Sequence, residues 1–227
     1  MGSSKPRLQF RLRGTRRRTG VRGAALVLNG ASRDDLWNAT ELAGQLCGAW
    51  ILVAVDGGLE TCRRVGAIPD LFVGDADSSE GRPAELESVI YPRDKDLSDL
   101  SAALAEVRQR DVEIVTVAGL LGGRLDHEWA NLFETGAHAR HLAGVVAPSD
   151  RGTVVVTAHG CHAETVPGFV VSLFVLGGSA TVTLRGTRWK LREQRIRPGS
   201  RGLSNLTGNR LDLVVHAGVV ALVFPEE

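Results

Sequence analysis

Residues 50–58 read WILVAVDGG. Six apolar residues without a break, then Asp56 and two glycines, describe a strand buried on both faces that stops at a polar turn. The stretch behind it, GLETCRRVG (58–66), has helix-like spacing. The same succession recurs along the chain. AALVLN (24–29), LFV (71–73), EIVTVA (113–118) and GVVA (144–147) read as further buried strands. DDLWNATELAGQLC (34–47), SDLSAALAEVRQR (98–110) and DHEWANLFETGAHA (126–139) read as helices, and Ser98 is placed to cap the third of the four. Strands alternating with helices predict an α/β domain over residues 23–147, a mostly parallel sheet with flanking helices.

After about residue 150 the rhythm changes. TVVVTA, FVVSLFVL, SATVTLR, LDLVVHA and VVALVF follow at short intervals, separated by turn residues and with no helical pattern among them. These predict a smaller all-β, sandwich-like domain over residues 153–227, with APSDRG (147–152) as the boundary.

The net charge of +1 conceals an uneven distribution. Residues 1–22 carry Lys5 and seven arginines with no acid, so the remaining chain has a charge of −7. An acid-free leader of this kind is expected to be a disordered, solvated tail. It lacks the apolar core of a secretory signal, and organelle targeting is the alternative. The acidic body argues against nucleic acid as a partner. No uninterrupted apolar run reaches the ~18 residues of a membrane span. Three widely separated cysteines, Cys47, Cys62 and Cys161, favour reduced thiols and a cytoplasmic location over a disulfide framework.

The acids of the first half gather where strands end. Asp56 closes one strand, and LFVGDADSS (71–79) places Asp75 and Asp77 two apart after another, so that both carboxylates face one point if the segment is extended. YPRDKDLSDL supplies Asp94, Lys95, Asp96 and Asp99 at a loop entering a helix. GLLGGRLDHEWAN supplies Gly122, Gly123, Arg124, Asp126 and His127 in the same setting. In parallel sheets, ligands bind beyond the carboxyl ends of the strands, so these clusters are expected to converge. Aspartate oxygens without cysteine suit a hard cation, Mg²⁺ above all. Lys95 and Arg124 suit phosphate oxygens, and the glycines at 57, 58 and 123 allow backbone N–H groups to approach them. The chain contains neither a Walker P-loop nor a G-x-G-x-x-G. Together the residues describe a Mg-nucleotide site better than a glycosidase pair, which needs no cationic clamp.

The succession VAVDGG…GAIPDLFVGDADS…RDKDLSDLSAAL…GGRLDH closely resembles the thiamine pyrophosphokinase (thiamin diphosphokinase) family. Four motifs stand in the family's order, and LRGTRWKL (184–191) and GLSN (202–205) are similar to its later G-x-x-W-x-L and S-N segments. Ala76 and Ser98 depart from it, where Phe and Thr are common. The resemblance implies transfer of the diphosphoryl group of ATP to the primary hydroxyl of thiamine, with Mg²⁺, in a homodimer whose sites are shared between chains. It implies Asp75, Asp77 and Asp99 at the metal and Asp77, Asp99, Arg124 and Asp126 in catalysis. Asp56, Gly57, Gly58, Lys95, Asp96, Gly123 and His127 fall to the nucleotide, and Trp189, Ser204 and Asn205 to thiamine, with Trp189 stacked on its pyrimidine. Diphosphokinase action on another hydroxymethyl heterocycle, such as a pterin, and a non-catalytic nucleotide- or thiamine-sensing module are the alternatives.

Other residues have plainer readings. Asp34 and Asp35 are expected to cap a helix. His138 and His141 are expected at the surface, and His159, Cys161 and His162 lie too close together for a tetrahedral zinc site by themselves. Trp37, Trp50 and Trp129 sit on apolar patterns and are expected in the core. Trp189, between Arg188 and Lys190, is expected on a strand face opposite both.

Overall fold

The computed structural model describes residues 8–16, 20–75 and 84–226. The strands are β1 (Gln9–Leu12), β2 (Arg22–Val27), β3 (Ala49–Val55), β4 (Leu71–Asp75), β5 (Glu87–Tyr91), β6 (Ile114–Ala118) and β7 (Gly144–Ser149). They continue with β8 (Gly152–Thr157), β9 (Gly160–Glu164), β10 (Val170–Val175), β11 (Ala180–Thr187), β12 (Leu191–Ile196), β13 (Asn205–Ala217) and β14 (Val220–Pro225). The helices are α1 (Arg33–Leu46), α2 (Gly58–Val65), α3 (Asp99–Gln109) and α4 (Leu125–His138).

Strands β7-β6-β2-β3-β4-β5 lie side by side, and every neighbouring pair is parallel. Their apolar runs are buried because both faces are covered. On β2, Ala24 and Leu26 point into a core shared with Leu100, Leu104 and Val107 of α3. Ala25 and Val27 point the other way, against Leu36, Ala39 and Ala43 of α1 and Leu59 and Cys62 of α2. Each fully buried Leu, Val or Phe contributes about 1.5–3 kcal/mol.

From β7 onward the pairing is antiparallel. The β7–β8 hairpin leads through β14 and β10 to the long strand β13, whose start pairs with β10 and whose remainder pairs with β9 and β11. β13 thereby folds one set of strands over the other, and Val155, Leu173, Leu213, Leu222 and Phe224 fill the space between them. The whole is a mixed, strand-rich sheet with few helices. The expected strand–helix alternation holds only in part, since β4 and β5 are parallel neighbours with no helix described between them. Residues 147–152 make the β7–β8 hairpin turn, where Ser149 pairs with Gly152.

The leader needs correction. Residues 9–12 form β1, antiparallel to β9. Leu12 is buried, and the Phe10 ring meets Phe224 edge-on at 5.4 Å. Arg13 donates to Asp212 at 2.7 Å and to His162 at 2.8 Å, and the Arg16 N–H donates to the buried Glu113 carboxylate. The signal was present in LQFRLR: apolar residues at 8, 10 and 12 alternate with polar ones, which is strand periodicity hidden among arginines.

Several smaller expectations resolve here. Ser32, not Asp34 or Asp35, caps α1; it forms a capping box in which the Asp35 carboxylate accepts the Ser32 N–H at 2.9 Å. Trp37 and Trp129 are exposed, at 70% and 61%, and Trp50 is at the exposed margin. All three cysteines are free thiols, and burial pushes Cys62 up to about 11 and Cys161 up to about 12.

Candidate active site

The carboxyl ends of the parallel strands form one rim. β3 delivers Asp56 and β4 delivers Asp75, adjacent because Val55 is in register with Val73. A methyl group added at Gly74 would lie 3.2 Å from the Asp56 Cα, so glycine lets the two strand ends close together. Asp56 sits in the left-handed region at φ 48°, which aspartate tolerates better than most residues. Its N–H donates to the Val73 carbonyl and its carbonyl accepts from Leu59 N–H. Gly58 is required by packing: a Cβ there would come within 1.9 Å of the Val27 carbonyl oxygen. A Cβ at Gly57 would strike the Asn29 side chain.

Beyond this rim lies a cleft of about 370 Å³, lined by Asn29, Asp56, Asp99, Gly123, Arg124 and His127, among others. That is within the usual size range of small-molecule sites. Two helix N-termini open onto it. Ser98 caps α3 as expected, its Oγ accepting from Ser101 N–H at 3.1 Å while donating to Glu134 of α4. This places Asp99 in the first turn of α3, with Lys95 Nζ 2.8 Å from its Oδ1. That oxygen is buried and makes no well-directed hydrogen bond, so the contact is ionic. Asp96 is exposed on the loop before α3.

At the start of α4, Arg124 grips Asp126 with two hydrogen bonds, Nε to Oδ1 at 3.1 Å and Nη2 to Oδ2 at 2.6 Å. The hydrogen bond from Arg124 holds the Asp126 carboxyl below the usual carboxylate range, and the same contact raises the guanidinium. Both side chains are exposed. Glu128, which sequence reasoning missed, lines the same cleft. It accepts Gly122 N–H at 2.5 Å and Arg151 Nη2 at 2.8 Å, and the backbone bond is the main reason its carboxyl is lowered. Asn131, also missed, donates to the Leu120 carbonyl at 3.2 Å. Both stand one helical turn from expected site residues, at i+4 from Arg124 and His127, and that spacing was the available signal.

The expected site residues do not all meet. Asp56, Asp99, Gly123, Arg124 and His127 line the cleft, while Asp75 stands at the neighbouring strand end. Asp77 lies outside the described residues. Among the described residues, no three of His, Cys, Asp and Glu form a group able to hold a metal. His162 is engaged by Asp212 and Arg13, and His138 shares a hydrogen bond with Ser101.

Trp189, Ser204 and Asn205 are absent from the cleft lining. Trp189 stands in the turn between β11 and β12, not on a strand, and is 56% exposed. Arg188 does not face away from it: the guanidinium carbon lies 5.2 Å from the ring centroid. Ser204 is exposed with φ 52°, and its N–H donates to Ser172 Oγ at 3.0 Å. Asn205 is buried at 3% exposure.

Residues 45–142 match the family model described as thiamin pyrophosphokinase, catalytic domain. The thiamine pyrophosphokinase of Bacillus subtilis (strain 168) is 33% identical over 86 residues, which is 35% of this chain and 40% of that relative. Among solved structures, thiamine pyrophosphokinase from Bacillus subtilis superposes with a TM-score of 0.71 at 19% identity, over 90% of this chain and 99% of that one. The Candida albicans enzyme gives 0.69 at 12% identity, over 91% and 90%. That from Geobacillus thermodenitrificans gives 0.67 at 21%, over 90% and 98%. At these identities the structures show a common fold. The resemblance in the motifs is thus matched by a family model, a curated relative and the fold.

Proposed function

We propose that this chain transfers the diphosphoryl group of ATP to the primary hydroxyl of thiamine, forming thiamine diphosphate and AMP. One observation carries the reading: the segment that matches the catalytic-domain model is the segment that supplies Asp56, Asp99, Gly123, Arg124 and His127 to a single cleft.

The thiamine hydroxyl oxygen attacks the β-phosphorus, the bond from that phosphorus to the AMP oxygen breaks, and the hydroxyl proton passes to a carboxylate. Such a reaction needs positioning and charge neutralisation more than covalent chemistry. Arg124 offers a bidentate fork for phosphate oxygens, and Asp126 holds it until they arrive. Exchange of partners would free Asp126 and restore its carboxyl towards an ordinary, more basic value, making it the better proton acceptor. Asp56, Gly57 and Gly58 border the nucleotide, joined by Lys95, Asp96, Gly123 and His127. The donor set is all oxygen, which suits a hard cation, and the buried Asp99 Oδ1 already faces a cation in Lys95 Nζ at 2.8 Å. Asp75, Asp77 and Asp99 would hold Mg²⁺, with phosphate oxygens completing its shell. When bound, the ion supplies charge neutralisation on the polyphosphate.

We place thiamine at Trp189 and Ser204 of a second copy of the chain. Two observations support this. Those residues do not line their own cleft, and an apolar stripe of Leu125, Trp129 and Phe133 along α4 lies exposed beside it, at 70%, 61% and 58%. A cytoplasmic location fits the free thiols, and no described helix is long and apolar enough to cross a membrane. The test is AMP release from Mg-ATP with and without thiamine. Thiamine-dependent release is expected. Release that depends on a hydroxymethylpterin instead, or nucleotide binding without release, would overturn the reading.

A further inference from the structure

Trp189 is 56% exposed and stands in the turn that follows β11, just after the Arg188 N–H, which donates to the Leu206 carbonyl at 2.8 Å. Its backbone is nevertheless fully engaged. The Trp189 N–H donates to Asn205 Oδ1 at 3.0 Å. The Trp189 carbonyl accepts from Asn205 Nδ2 at 2.8 Å and from Thr187 Oγ1 at 3.1 Å. Asn205 and Thr187 are themselves buried, at 3% and 5% exposure. Asn205 Oδ1 also accepts Leu206 N–H at 3.0 Å, so both of its lone pairs are used. The side-chain amide therefore meets Trp189 as a neighbouring strand would, donor to acceptor and acceptor to donor.

We propose that Asn205, assisted by Thr187, is a positioning residue that acts through the Trp189 backbone and does not itself contact the substrate. The proposal rests on the reading of Trp189 as the surface on which the thiamine pyrimidine stacks. An exposed indole on a freely moving turn would lose conformational entropy on every binding event, and a clamped one has lost it already. Arg188 makes the orientation matter. It covers one ring face, leaving the other for a flat ligand, and its charge disfavours a cationic ring there. The neutral aminopyrimidine is the part of thiamine that suits such a face. Ser204 supplies the polar contact, since it is exposed and its hydroxyl makes no hydrogen bond among the described residues.

Two readouts test this in the full-length protein. The first needs no thiamine: hydrogen exchange of the Trp189 amide in the free protein. Asn205→Ala should abolish its protection, whereas Asn205→Asp, which keeps the acceptor, should retain it in part. The second is a double-mutant cycle on the KM for thiamine. Asn205→Ala should raise that KM roughly tenfold, the size of one lost orienting contact, with little change in kcat or in the KM for ATP. In a Trp189→Ala background, the same substitution should add nothing. Thr187→Val, which preserves shape, should give a smaller effect in the same direction and serves if Asn205→Ala does not fold. Additive losses would mean that Asn205 touches thiamine directly and would overturn the proposal, as would unchanged Trp189 protection in Asn205→Ala. If the wild type acts on something other than thiamine, the exchange experiment still decides whether the clamp exists.

Discussion

Arg124 and Asp126 hold each other two residues apart at the mouth of the cleft, both exposed to water. A pair so exposed contributes little to stability, so its value lies in readiness. Arg124→Ala should leave the melting temperature nearly unchanged while lowering kcat about 10²–10³-fold, as loss of one transition-state donor does. Arg124→Lys should recover only part, because an ammonium cannot reproduce the fork. Glu128 gives a prediction in pH. Its carboxyl is lowered in the folded state, chiefly by Gly122 N–H, so the tie is intact above the ordinary glutamate value and is lost as pH falls through the lowered one. The Gly122 amide should therefore lose protection, measured against its intrinsic exchange rate, on acidification below that range, and Glu128→Gln should remove the pH step. At this scale the strand-end acids and glycines were legible, because their chemistry is local. The tryptophans were not. Trp129 follows Leu125 by four residues and precedes Phe133 by four, a spacing that marks one helix face without saying whether it points inward.

Between elements, hydrogen bonds from α3 to α4 tie together the two helices that open onto the cleft. Ser98, the cap of α3, donates to Glu134 of α4, so the helix carrying Asp99 is tied to the helix that follows Arg124. Glu134→Ala should lower stability by about 1 kcal/mol, the net worth of a hydrogen bond, and the melting temperature by roughly 2–4 °C. It should also lower kcat more than its distance from the cleft suggests, whereas Glu134→Gln, which keeps an acceptor, should recover most of both. The central strands were readable because each is a continuous apolar run. β5 and β12 were not. ESVIY and LREQRI lie where one side or both meet solvent, and half-exposed strands lose the apolar signal that pattern reading depends on. β13 was read only in its second half, since its start, NLTGNR, is polar and serves to clamp Trp189.

For the molecule as a whole, two experiments follow from how distant parts meet. On the proposed dimer with sites shared between chains, Asp126→Asn and Trp189→Asp homodimers should each be nearly inactive, and co-refolding should restore about a quarter of wild-type activity. Random pairing makes about half heterodimers, each with one intact site. No rescue despite proven heterodimers would place the whole site within one chain. The second experiment concerns β1. A chain starting at Gly14 vacates the Leu12 position and uncovers the β9 edge, so it should unfold about 2–5 kcal/mol more easily and aggregate more readily. Its activity per folded molecule should be kept. The β1 pairing also bears on the order in which the protein is made. Arg13 and His162, at the end of that pairing, lie 149 residues apart in the chain. During synthesis the first strand leaves the ribosome long before its partner exists, and contacts of such sequence separation close late. Throughout that interval residues 9–13 remain available to whatever cellular machinery reads nascent chains, and completion of β9 withdraws them from reach.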